Sequence, residues 1–137
     1  MVIKLKSQFY SLIKNLGYNI TDNGEYVENF PWLMLRLTDN QFTRSQDVLQ
    51  HRVVLTLDIF SAYAGEKEIL EIVNNISNAL WEFQNSNPEI LYAHQKMFKI
   101  LDDKATGPVK KHGIVNYEFS LGQGLIPEEE EPDDETN

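Results

Sequence analysis

Cysteine is absent from the 137 residues. That excludes disulfides, a thiolate nucleophile and thiolate metal sites. No apolar run approaches the roughly 18 residues of a membrane span. The first residues carry Lys4 and Lys6 inside their apolar pattern and show no small-residue cleavage site. No secretory signal is read there, and a soluble cytoplasmic protein is expected. Basic charge is also scarce, with 12 Lys and Arg against 21 Asp and Glu and a net charge of −9. Seven of those acids lie in residues 128–135, leaving 14 acids against 12 bases, a body charge of −2. Neither part offers the basic face that a duplex-DNA binder presents.

Chemical motifs are equally sparse. There is no Gly-x-Ser-x-Gly, no Gly-Lys-Ser/Thr and no His-Glu-x-x-His. His51, His94 and His112 are scattered: one ends a polar stretch, one starts a strand, one sits in a turn, and no two have metal-ligand spacing. Asp102-Asp103 lies in a Gly/Pro loop and reads as a solvated turn, not an acid–base pair. Gly122-x-Gly124 follows a strand but precedes no helix, so it reads as a domain-end turn. No cofactor, metal or catalytic residue is assigned, and an enzyme is not expected.

What the chain does carry is periodicity. In residues 52–61, Val53, Leu55, Leu57 and Ile59 alternate with Thr56 and Asp58, the period of a half-buried strand. In residues 66–83, Ile69, Ile72, Val73, Ile76, Ala79, Leu80 and Phe83 recur at helical spacing. Residues 2–16 predict an earlier helix with Ile3, Leu5, Phe9, Leu12, Ile13 and Leu16 inward and Gly17 as its C-cap. Tyr18 and Ile20 suggest a short extended segment before the turn Asp22-Asn23-Gly24. Residues 32–38 predict a strand with Leu33, Leu35 and Leu37 on one face. Pro88 stops the second helix near residues 85–87. Residues 90–101 predict a strand with a bulge near Gln95. Residues 113–121 predict the last strand, with Val115, Tyr117, Phe119 and Leu121 inward.

The expected order is α-β-β-α-β-β, an α+β domain of residues 1–121 followed by an acidic tail, 122–137. One mainly antiparallel or mixed sheet is covered on one face by two helices. The helix between the second and third strands could return the chain for a parallel contact. Strand order is left open by the pattern.

Three features point outward. Residues 39–51 are polar and too long for a tight turn. They form either a long loop or an extension of the flanking strands into a protruding ribbon. Phe42, Arg44, Asp47 and Leu49 on it are the candidate contacts with other subunits or partners. Lys96, Lys99, Lys110 and Lys111, with Lys104, cluster around the last hairpin. They are candidate electrostatic contacts for an acidic partner such as a neighbouring copy's tail. The aromatics Trp32, Trp81, Tyr92, Phe98, Tyr117 and Phe119 read first as core, with subunit interfaces as the other use.

Certain stretches resemble a known family. They are Leu16-Gly17 closing the first helix, Phe30-Pro-Trp-Leu-Met-Leu35, and His51-Arg-Val-Val-Leu-Thr-Leu-Asp-Ile-Phe60 with Gly65 five residues on. The helix running to Leu80-Trp81 and Gly113-Ile-Val-Asn-Tyr-Glu-Phe119 complete the set. In order and wording these resemble the tail-completion proteins of long-tailed bacteriophages, also called tail terminators or head-to-tail joining proteins. The acidic tail is not part of the likeness. The resemblance implies a non-catalytic virion protein, found in the host cytoplasm before assembly. It implies a ring, commonly a hexamer, at the head-proximal end of the tail tube. Its partners would be the tail-tube protein and the head connector, with DNA passing through unread. The rival expectation is a small cytoplasmic adaptor domain that binds a protein partner without catalysis.

Overall fold

The computed structural model describes residues 2–22, 29–45, 48–104 and 107–122. The side chains of residues 45, 48 and 49 are outside that description. The elements are α1 (Val2–Asn15), β1 (Asn19–Thr21), β2 (Trp32–Ser45), β3 (Val48–Ser61), α2 (Lys67–Ser86), β4 (Ile90–Asp102) and β5 (Lys111–Leu121). The α+β class holds. The order gains one strand, β1, at the segment around Ile20. The turn expected at Asp22-Asn23-Gly24, the Gly122-x-Gly124 motif beyond Gly122, and the acidic tail fall outside the described residues.

The strands form a single sheet in the order β1-β2-β3-β5-β4. β1 pairs parallel with β2, and every other pairing is antiparallel. α2 carries the chain past the position next to β3 to the far edge. β5 then returns into the gap. β4 therefore runs in the direction of β3 without touching it, so the parallel contact that the sequence left open is not made.

The helices and the inner sheet face make one core. Leu5, Phe9 and Ile13 are the buried stripe of α1. Ile3 departs from expectation and is 67% exposed. Two residues are about 200° of helix, so Ile3 cannot share a narrow face with Leu5. Leu16 is also exposed, because the helix ends before it and Gly17 turns the chain at φ 102°. α2 buries Ile69, Ile72, Val73, Ile76, Leu80 and Phe83, as its spacing predicted. Against them lie Leu33, Leu35, Val53, Leu55, Leu57, Ile59, Val115, Tyr117, Phe119 and Leu121. Phe9 is the hub, with ring centroids 5.6 Å from Phe83, 5.3 Å from Tyr117 and 5.4 Å from Phe119. Such tilted and edge-on pairs add to plain area burial.

Two aromatics expected in the core are not there: Trp81 on α2 is 68% exposed and Tyr92 on β4 is 43% exposed. Trp81 lies one turn from Ser77 and Gln84, on the flank of α2 above β4. Ser77 Oγ donates to Gln95 Oε1 at 2.8 Å, and Gln84 Nε2 donates to the Leu91 carbonyl at 3.1 Å. That flank holds β4 by polar contacts and leaves the indole outside.

Candidate assembly surface

Of residues 39–51, the described residues 39–45 and 48–51 are paired strand, which is the ribbon, the second of the two readings left open. β2 and β3 stay paired from Trp32↔Phe60 to Ser45↔Val48. β5 accompanies β3 only as far as His51↔Leu121. Residues 43–45 and 48–50 therefore project past the body of the sheet. At about 3.4 Å per residue, three paired positions extend roughly 10 Å.

A bulge aims the ribbon's side chains. The register shifts between Leu37 and Asp39, so Thr38 is an extra residue. Thr38 and Asp39 both lie on the outer face, away from the helices. Their neighbours Thr56 and Val54 share that face. Beyond the bulge, Asn40, Phe42 and Arg44 take the helix-side phase, opposite Val53, His51 and Leu49. Phe42 stacks on His51 with centroids 4.0 Å apart and remains 50% exposed. His51 is buried, and its Nε2 lies 2.6 Å from Asn40 Oδ1. Burial lowers its pKa, so the ring under Phe42 is neutral at pH 7. Arg44 is exposed and has no ion-pair partner among the described residues. Asp47 and the Leu49 side chain lie outside the described residues. Leu49 is placed only by its backbone pairing with Arg44.

The lysine group separates. Lys96 Nζ lies 3.3 Å from Glu118 Oε1, and Lys111 pairs with Asp102. That contact holds the Asp102 carboxyl below its ordinary range and raises the Lys111 amine. Lys99 and Lys110 are exposed, and neither has an ion-pair partner among the described residues. Lys110 gives its backbone N–H to the Ser61 carbonyl at 2.8 Å. The four do not form one patch.

Sequence reasoning missed the outer sheet face, where polar groups form rows across the strands. In one row, Asp58 accepts from Arg36 Nε at 2.6 Å and Nη2 at 3.3 Å, and lies 3.0 Å from His112 Nε2. In the next, the Thr38 and Thr56 hydroxyls are 2.7 Å apart, and Thr56 donates to Asn116 Oδ1 at 2.8 Å. In the third, Arg52 reaches Asp39 at 2.7 Å and Glu118 at 3.6 Å. Trp32, Phe60 and His112 stack in sequence along one end, at 4.8 and 4.5 Å. Burial alone would raise the Asp58 pKa. The hydrogen bonds from His112 and Arg36 outweigh it and hold the carboxyl below its ordinary range. Both Asp58 oxygens are thus engaged by cation or ring donors, and the carboxylate acts as a clamp between strands. All three histidines sit within strands, not in a loop end or turn. The signal that could have found these rows is the outward phase of Thr56, Asp58, Asn116 and Glu118, but pairing them requires the strand order.

No protein-family model matches the chain, and no curated protein matches it. Among the described residues no group of three or more His, Asp or Glu is placed to hold a metal ion. No helix of the described residues is long and apolar enough to cross a membrane. What stands out is the surface: a braced sheet that carries a ribbon with an apolar ring beside a cation that has no ion-pair partner among the described residues.

Proposed function

We propose that this chain is a structural subunit of the phage tail-completion type. Copies form a ring that closes the head-proximal end of a tail tube and joins it to the head connector. The observation that carries the reading is the ribbon, where Phe42 at its base is half-exposed beside Arg44. An apolar anchor gives affinity and an adjacent charge gives register, the combination found at the energetic centres of interfaces. The resemblance in residues 2–121 supports the same class. Ring closure needs a heterologous contact, one patch meeting a different patch on the next copy. DNA would cross such a ring without being read, in keeping with a body charge of −2.

The test is complementation of a terminator-deficient phage by the double variant Phe42→Ala/Arg44→Ala, with electron microscopy of the lysate. Losing an anchor and its charge costs about 2 kcal/mol or more at a hot spot. The expected outcome is a soluble, folded variant with free heads beside unjoined or overlong tails. Normally joined virions would remove the ribbon from the function. A variant that still pulls down a host protein and never meets tails would favour the adaptor reading.

A further inference from the structure

We infer that the ribbon of one copy, through Phe42 at its base and Arg44 beyond it, docks into a groove at the opposite end of the next copy, head to tail. This rests on the ring reading and names the two patches that such a ring needs. The groove has a volume of about 440 Å³ and lies where the C-terminus of α1, the entry to β2 and the first half of α2 meet. Tyr18, Phe30 and Pro31 supply flat apolar walls, Ile72 a floor, and Glu68 and Glu71 the carboxylates. A second hollow lined by Tyr63 and Lys67 shares those two glutamates and extends it along α2.

Three observations commit the groove to a second copy of this chain. The first is chemical complementarity. Phe42 offers the ring face turned away from His51, and Arg44 offers a cation without an ion-pair partner among the described residues. The groove returns aromatic walls for the ring and carboxylates for the cation. Glu71 is exposed and has no ion-pair partner among the described residues. Glu68 uses Oε1 to accept from Ser61 Oγ at 2.6 Å, which leaves Oε2 for another donor. Tyr18 accepts from Asn75 Nδ2 at 2.9 Å, so its own hydroxyl proton is free to give.

The second is position. Phe30 and Pro31 immediately precede β2, and the tip ends it. Along β2, Pro31 and the Phe42–Arg44 pair lie roughly 40 Å apart. Patches at opposite ends of one molecule cannot meet within it. They join different copies in rings or filaments. The third is facing. Phe42 and Arg44 lie on the helix side of the ribbon because of the Thr38 bulge, and the groove is on the helix side too.

The cysteine-free chain suits a direct test. Full-length Thr43→Cys is mixed with full-length Asn75→Cys and treated with a short bismaleimide. A second mixture pairs Thr43→Cys with Asn85→Cys, at the other end of α2. Docking raises the local concentration of the first pair, so its heterodimer yield should exceed the control by roughly tenfold. Arg44→Glu on the tip chain should abolish the excess, and Glu71→Arg on the groove chain should restore it. Equal yields in the two mixtures would overturn the contact, as would an excess untouched by Arg44→Glu in a chain shown folded by circular dichroism. The two proposals fail separately. Rings seen by microscopy without the tip-to-groove cross-link would sink this contact and leave the ring. The cross-link together with an unaltered chain that never restores joined virions to the terminator-deficient phage would uphold the contact and sink the tail-completion reading.

Discussion

Gly113→Ala is the substitution for which the structure and the ordinary expectation disagree in sign. Gly113 sits in β5 opposite Ile59 on one side and Ile100 on the other. Its missing side chain would point at α2. A Cβ there would lie 2.7 Å from Ile69 Cγ2, 3.5 Å from Ile69 Cδ1 and 3.6 Å from Ile59 Cβ. Ile69 is fully buried, so it cannot swing into solvent to make room. Away from such a contact, Gly→Ala stabilises by about 0.4–1 kcal/mol through the unfolded chain. Overpacking a tight core costs about 1–3 kcal/mol. The clash should win, with a net loss of about 1–2 kcal/mol in urea unfolding. Ile69→Ala removes Cγ2 and alone should cost about 2–5 kcal/mol. The double variant should then lose about 1 kcal/mol less than the sum, because the two residues touch. A Gly113→Ala midpoint equal to or above the parent, or strict additivity, would refute the account of how α2 is seated. That seat bears on the proposed docking, since the helical turn from Ile69 to Ile72 also presents Glu68 and Glu71.

Two further predictions concern buried polar groups. Asp58 has its folded pKa below the unfolded value, so its stabilisation is present above about pH 4 and is lost as pH falls through the folded pKa. Asp58→Asn should cost about 1.5–3 kcal/mol at pH 7. The gap from the parent should narrow under acid, and a gap that stays constant down to about pH 3 in urea unfolding would contradict the clamp. The Tyr117 hydroxyl is buried without a hydrogen-bond partner among the described residues. Its ionisation is pushed up to about 12, by burial first, with Ser77 acting weakly the other way while giving its own proton to Gln95. Tyr117→Phe should be neutral or slightly stabilising in thermal unfolding, and a loss above about 1 kcal/mol would mean that the hydroxyl is paired after all.

The sequence made the core legible where one period ran unbroken. Val53 to Ile59, Val115 to Leu121 and the α2 stripe kept their phase because each faces a single packed layer. The bulge expected near Gln95 is the irregularity between Gln95 and Met97. Gly17 could be read because the cap needs a positive φ. What escaped depends on partners distant in sequence. β1 has three residues, too few for any period to register. The choice between loop and ribbon stayed open because the Thr38 bulge breaks the alternation, and because polar residues beyond it occupy both faces. Thr56 and Asn116 bond across 60 residues of chain, and only the strand order reveals them. The ribbon anchors Phe42 and Arg44 were picked out by residue type, but their common face was not. The groove was missed because it joins three segments that share no local motif.

The outer-face rows and the ribbon are mechanically linked. A projecting hairpin is a poor anchor if it must be ordered at the moment of contact, since immobilising side chains and backbone opposes association. Here the ribbon leaves a base fixed on three strands. Arg36 and Asp58 tie β2 to β3, His112 ties that pair to β5, and the Thr38–Thr56–Asn116 row repeats the tie next to the bulge. Arg52 then bridges Asp39 on β2 and Glu118 on β5, at the point where the ribbon departs. Half-exposed ion pairs of this kind add little to global stability. Their value is in direction: each one fixes the register of two strands, and a slip by one residue would turn Phe42 to the other face. The polar network that resembles a site by its residue types therefore serves, in this fold, to aim an apolar ring that sits outside it.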